Sequence, residues 1–155
     1  MKLVTDQPDQ YPVIWQWMNR RTRLPWSTDL RTIASMRDDG TIACAVGFNA
    51  WTHSACWMHV AFDNEHGLTR QLWQAAFRYP FIDCGMEAVY GLTPKALDEA
   101  LAMNDRLGFN RVAETIDSVM FEMKADDCRW LKGVRRSAIA KTPPDGISVT
   151  KEHAS

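Results

Sequence analysis

The sequence has no apolar run long enough to cross a membrane, and its opening residues, MKLVTDQPDQYP, lack the apolar core of a secretory signal. No membrane partner is therefore expected, and a cytoplasmic setting is. Charge of either sign is not in excess: 18 Lys and Arg stand against 19 Asp and Glu, for a net charge of −1. No global field draws such a chain to nucleic acid, so no nucleic-acid partner is expected. The four cysteines, Cys44, Cys56, Cys84 and Cys128, form no Cys-x-x-Cys pair. Two lie inside apolar runs, where reduced thiols pack as small hydrophobes, which fits a reducing compartment.

Signature loops are missing as well. There is no Gly-x-Ser-x-Gly elbow, no Walker loop and no dinucleotide fingerprint, so hydrolase, NTPase and oxidoreductase readings have no support. Cys56-x-x-His59 supplies half a metal site, but zinc needs three or four ligands and the other cysteines stand at no useful spacing; no metal is expected. No internal repeat divides the chain.

What remains is 155 residues, enough for one domain with a core of its own. Apolar residues at helical spacing predict a helix over Pro12–Arg23, with Pro12 in its first turn. TIASMRD, a DDG turn, TIACAVGFNAWT and SACWMHVAF predict an antiparallel meander. Its second strand is almost continuously apolar, which places it centrally with cover on both faces. A helix over Gly67–Tyr79 ends before Pro80, EAVYGL is a strand, and Ala96–Leu107 is a helix ended by Gly108. Two short strands follow, near Arg111–Thr115 and Val119–Lys124. The last segment changes character: residues 129–155 carry six Lys or Arg against two acids. The expected division is a folded domain over 1–131 and a basic, unstructured tail over 132–155.

Three blocks suggest a family. GLTPKALDEALAMNDRLGF, HGLTRQLWQAAFRYPF and CRWL occur in an order similar to that of the GNAT (Gcn5-related N-acetyltransferase) family, and resemble a subgroup common in phage genomes and related bacteria. The resemblance implies an α/β (α+β) fold with a central mixed, mostly antiparallel sheet of six to seven strands flanked by helices. It also implies acetyl transfer from acetyl-CoA to an amine, by direct attack in a ternary complex. An inactive GNAT-fold binding or virion-associated protein is the alternative. The partners implied are acetyl-CoA and an unidentified amine, with a homodimer left open.

The chemistry maps onto particular residues. Acetyl-CoA carries a pyrophosphate suited to a strand-to-helix turn with free N–H groups, which here is Phe62–Arg70. The family's loop motif fits Asn64, Gly67 and Thr69, of which only the glycine is retained; His66, Leu68 and Arg70 complete the implied phosphate site. A bulky residue at Gly67 is expected to weaken cofactor binding with the fold intact. Pantetheine would pair with the backbone of Val60, Ala61 and Phe62.

His59 is a candidate general base, on the same strand face as Trp57 and Ala61 and offset from Cys56. Asp63, Glu65 and His66 are alternatives acting through water. The tyrosine that protonates the leaving thiolate in many family members is replaced by Asn104, and the customary asparagine at the helix start by Leu97. Asn104 is the one amide on an apolar helix face, expected to meet either a backbone group or the cofactor. No cysteine has an evident base partner, which disfavours an acyl-cysteine route. Trp15, Trp17 and Trp26 crowd the region that in this fold borders the acceptor, and suggest an apolar or planar acceptor or a peptide terminus.

Overall fold

A computed structural model describes residues 1–132; the basic tail expected beyond lies almost entirely outside the described residues. Seven strands form one sheet: β1 (Lys2–Val4), β2 (Arg31–Met36), β3 (Ile42–Asn49), β4 (Ala55–Phe62), β5 (Ala88–Pro94), β6 (Asn110–Glu114) and β7 (Ser118–Lys124). Their spatial order is β1-β2-β3-β4-β5-β7-β6. All neighbours run antiparallel except β4 and β5, which are parallel. A crossover must join a parallel pair, and α2 (Arg70–Arg78) supplies it. The other helices are α1 (Val13–Thr22) and α3 (Asp98–Leu107).

The continuously apolar β3 is central and covered on both faces. Ala45 lies on the α1 side, where Ala34, Ala45 and Ala61 are cross-strand partners in one row beneath Ile14 and Met18. Small side chains there let the helix lie close to the sheet. Gly47 extends the effect, since a Cβ on it would meet Leu30 Cδ1 at 3.2 Å and Met18 Sδ at 3.4 Å. Cys44, Val46 and Phe48 face the other way, into a core with Leu72, Trp73, Ala76 and Phe77 of α2.

Several boundaries differ from the sequence reading for identifiable reasons. Glu65–Gly67 forms a separate 3-10 turn, so α2 begins only at Arg70, with Thr69 as its cap. The helix does not stop for Pro80: Tyr79–Asp83 continues it as a π-helical turn, because proline at the start of a new turn removes only an N–H that has no helical partner. Gly108 ends α3 as expected, at φ +104°, a left-handed conformation that favours glycine.

Pro12 sits just before α1 and offers no side-chain cap. Asp6 does that work from a distance: Oδ1 accepts from the Ile14 N–H and Oδ2 from the Trp15 N–H, both at 3.0 Å, while the Thr32 hydroxyl donates to Oδ2 at 3.1 Å. One half-buried carboxylate thereby ties α1 to β2. Asp6→Ala should lower stability by about 1–2 kcal/mol, in the range of a lost helix cap. Urea unfolding reads this directly, and a change under 0.5 kcal/mol or so would place the capping energy elsewhere.

Candidate functional site

The sheet opens at its one parallel junction. β4 and β5 share only the rungs Ala55↔Ala88, Cys56↔Val89 and Trp57↔Tyr90. Beyond them β4 runs on to Phe62 and β5 to Pro94 without pairing to each other, although each stays bonded to its outer neighbour. The gap is a cleft of about 510 Å³. Its walls come from both faces of the sheet: Arg21–Pro25 at the end of α1 on one, Ala100, Met103 and Asn104 of α3 on the other. Backbone N–H and C=O groups on facing strand edges are thus left open at depth, where they demand partners.

His59 lies opposite Gly47, on the α1 face beside this gap. Its Nε2 is 2.8 Å from Asn49 Oδ1. The amide oxygen accepts, so the neutral ring carries its proton on Nε2 and leaves the Nδ1 lone pair available. Burial disfavours the charged ring and lowers its pKa below the ordinary 6.5. The side chain is therefore uncharged at neutral pH and able to take a proton.

Val60, Phe62 and Asn104 line the same cleft. Ala61 does not, because its methyl group is buried under α1. The Asn104 side chain bonds to another side chain and not to the backbone: Nδ2 donates to Thr93 Oγ1 at 2.9 Å, linking α3 to the far lip of the gap. That bond occupies the acceptor side of the Thr93 hydroxyl and leaves its proton free to donate. The sequence reading ended this strand at Leu92 and so missed Thr93; no local pattern distinguishes it.

His66, Gly67, Leu68, Thr69 and Arg70 form the turn into α2, outside the lining of the cleft. Thr69 Oγ1 accepts from the Leu72 N–H at 3.2 Å, His66 and Arg70 are exposed, and Leu68 packs on the core. A bulky residue at Gly67 would not leave the fold intact. A Cβ there would lie 2.7 Å from Ala43 O and 3.0 Å from Ala43 C. Those are backbone atoms of the central strand and cannot give way, so the glycine is required for packing. Gly67→Ala should cost about 1–3 kcal/mol in urea unfolding, as overpacking does; an unchanged midpoint would show that the turn relaxes freely.

Asp63, an alternative base, is engaged by two guanidinium groups: Arg21 Nη2 at 2.8 Å and Arg37 Nη2 at 3.5 Å. Arg21 also lies over the Trp17 ring, 3.7 Å from its centroid. Trp15 meets Trp26 edge-on at 5.4 Å and donates from Nε1 to Leu24 O at 2.9 Å. Trp26 remains half exposed beside Pro25 at the cleft mouth. All four cysteines are buried, and none forms a disulfide. Burial pushes the Cys44 thiol up to about 12 and the Cys56 thiol higher still, so neither supplies a thiolate near neutrality.

No family model matches the sequence, and no curated protein does. Solved structures do match. The spermidine/spermine N-acetyltransferase SpeG from Vibrio cholerae superposes with a TM-score of 0.65 at 12% identity, over 81% of this chain and 94% of its own. The N-acetyltransferase PseH from Campylobacter jejuni gives 0.60 at 15% identity, over 79% and 96%. PseH in complex with acetyl coenzyme A gives 0.59 at 12%, over 79% and 99%. The chain has the GNAT fold. Its seven-stranded mixed sheet flanked by helices is thereby placed in a known architecture. Among the described residues, no helix is long and apolar enough to cross a membrane.

Proposed function

We propose that the protein is an acyl-CoA-dependent N-acetyltransferase that moves acetyl from acetyl-CoA to an amine by direct attack in a ternary complex. The observation that carries this reading is the gap between β4 and β5, with unpaired backbone on both lips and a neutral imidazole beside it. An extended chain with alternating amide donors and acceptors, as in pantetheine, satisfies such an edge in the way an added strand would. Solved N-acetyltransferases of like fold, one of them with acetyl-CoA bound, support the same assignment.

Roles follow from position. The backbone of Val60, Ala61 and Phe62 pairs with pantetheine, and the start of α2 receives the pyrophosphate, with Arg70 adding charge. His59 takes the amine proton at Nδ1 as nitrogen attacks the thioester carbon. The C–S bond breaks as the C–N bond forms, and the Thr93 hydroxyl, held by Asn104, can donate to the departing sulfur. The thiols play no covalent part.

Calorimetric titration with acetyl-CoA tests the reading. Saturable binding of one molecule per chain is expected, with affinity lowered severalfold in Arg70→Ala through loss of a phosphate contact. Arg70 is exposed, so this variant probes the turn without the packing defect that Gly67 would introduce. Absence of binding to the wild-type protein would remove the proposal.

A further inference from the structure

The α1 face of the sheet holds a polar and aromatic row of which the acetyl-transfer roles use only Asn49, through its contact with His59. Asn49, Trp57, Tyr90, Glu122 and Asn110 are successive cross-strand partners on β3, β4, β5, β7 and β6. Trp57 and Tyr90 are the last rung before the gap, and His59 is two residues beyond Trp57 on the same face, about 7 Å along the strand. α1 packs over β2, β3 and β4, and on the β5 side the face is open: Tyr90 and Glu122 are partly exposed, and Leu92 is 51% exposed.

The three central side chains form a unit. The Trp57 and Tyr90 rings lie 5.7 Å apart at an interplanar angle of 39°. The Tyr90 hydroxyl donates to Glu122 Oε2 at 2.7 Å. Glu122 is half-buried, and among the described residues it forms no ion pair; Lys124, the next residue on that face of β7, is exposed and does not reach it. A carboxylate held by one phenol beside two electron-rich rings has an unmet need for positive charge. Attraction to a cation is what such a group offers, while an anionic or purely apolar molecule would be repelled or left with an unpaired charge beneath it.

We propose that Trp57, Tyr90 and Glu122 form the acceptor subsite for a second positive charge, so that the substrate class is an amine carrying a further cationic group a short alkyl chain away from the reacting nitrogen. The inference rests on the reading of the gap as an acetyl-transfer site. With one amino group at His59, an extended alkyl diamine lays its other ammonium on the Trp57 and Tyr90 rings and against Glu122. The rings contribute cation–π attraction and the carboxylate a charge-assisted hydrogen bond.

Putrescine and n-butylamine are suitable probes, since they share a carbon chain and differ by one amino group. Wild-type protein should acetylate putrescine with a kcat/KM at least about tenfold above that for n-butylamine, the difference residing in KM. In Glu122→Gln, which keeps an oxygen for the Tyr90 hydroxyl, that ratio should fall toward one. Trp57→Phe, milder and isolating the better π surface, should lower it by a smaller factor. Putrescine binding without acetyl-CoA, read by calorimetry, should weaken in parallel in Glu122→Gln. Equal handling of the two amines, or a ratio unchanged in Glu122→Gln, would overturn the subsite while acetyl-CoA binding left the transfer reading standing. Failure of acetyl-CoA to bind, with putrescine still bound in a Glu122-dependent way, would overturn the transfer reading alone.

Discussion

His59→Ala is expected to lower kcat about a hundredfold to ten-thousandfold, the range for loss of a positioned general base, with little change in acetyl-CoA affinity. The imidazole meets the requirements of that role together. Asn49 fixes its tautomer through Nε2, the open Nδ1 carries the lone pair, and burial keeps the ring neutral at working pH. Its neighbours cannot easily substitute: Asp63 is held by Arg21 and Arg37, and His66 lies out on the turn into α2. His59→Gln should be nearly as inactive, because an amide keeps the contact with Asn49 but accepts no proton.

The pH dependence separates a base from a merely structural residue. Burial lowers the His59 pKa, so the acid limb of kcat/KM should fall below pH 6.5 and vanish in His59→Ala. Stability moves the same way. Between the lowered folded value and the ordinary unfolded one, the unfolded chain binds more protons, and stability declines as pH drops through that window. A variant retaining half its activity and its acid limb would assign the proton transfer to another group.

The fold was largely legible because its elements are amphipathic on a scale that periodicity detects. The continuous apolar run of β3 signals a strand covered twice, and α1 and α2 provide the cover. Placement of His59 and Cys56 on opposite faces followed from strand alternation and holds in the structure, where Cys56 joins the α2-side core. The site was legible only in part. Strand pairing is a property of two segments, and nothing within SACWMHVAF or EAVYGL states that they separate after the tryptophan–tyrosine rung, the third they share. Thr93, Asn49 and Glu122 acquire meaning only through partners 11, 10 and 32 residues away. Gly67 shows the same limit: the loop motif says nothing of the Ala43 carbonyl packed against this glycine, a contact between distant segments that makes a larger residue there a packing defect.

The largest loss of stability should come from Phe77→Ala, at about 3–5 kcal/mol. Phe77 is fully buried on α2 and is the hub of an aromatic stack. Its ring is nearly parallel to Phe81 at 6.2 Å and 9°, and lies 6.4 Å from Trp130 at 18° and 6.2 Å from Trp73 at 29°. Phe109 approaches it at 5.9 Å, and Phe109 lines the cleft. Trp130 is fixed in turn by donation from Nε1 to Leu107 O at 3.0 Å. The stack therefore joins α2, the π-helical turn, the end of α3 and the CRWL segment across the floor of the cleft. Truncation removes both transfer free energy and ring contacts, and partners anchored on four different segments cannot collapse together into the space. Phe77→Leu, which keeps most of the volume, should cost less than half as much. Urea unfolding of the two variants checks the ordering, and thermal midpoints with saturating acetyl-CoA show whether ligand restores part of the loss. A Phe77→Ala protein within about 1 kcal/mol of wild type would mean that the stack reorganises freely, and that Phe109 is held at the cleft by other contacts.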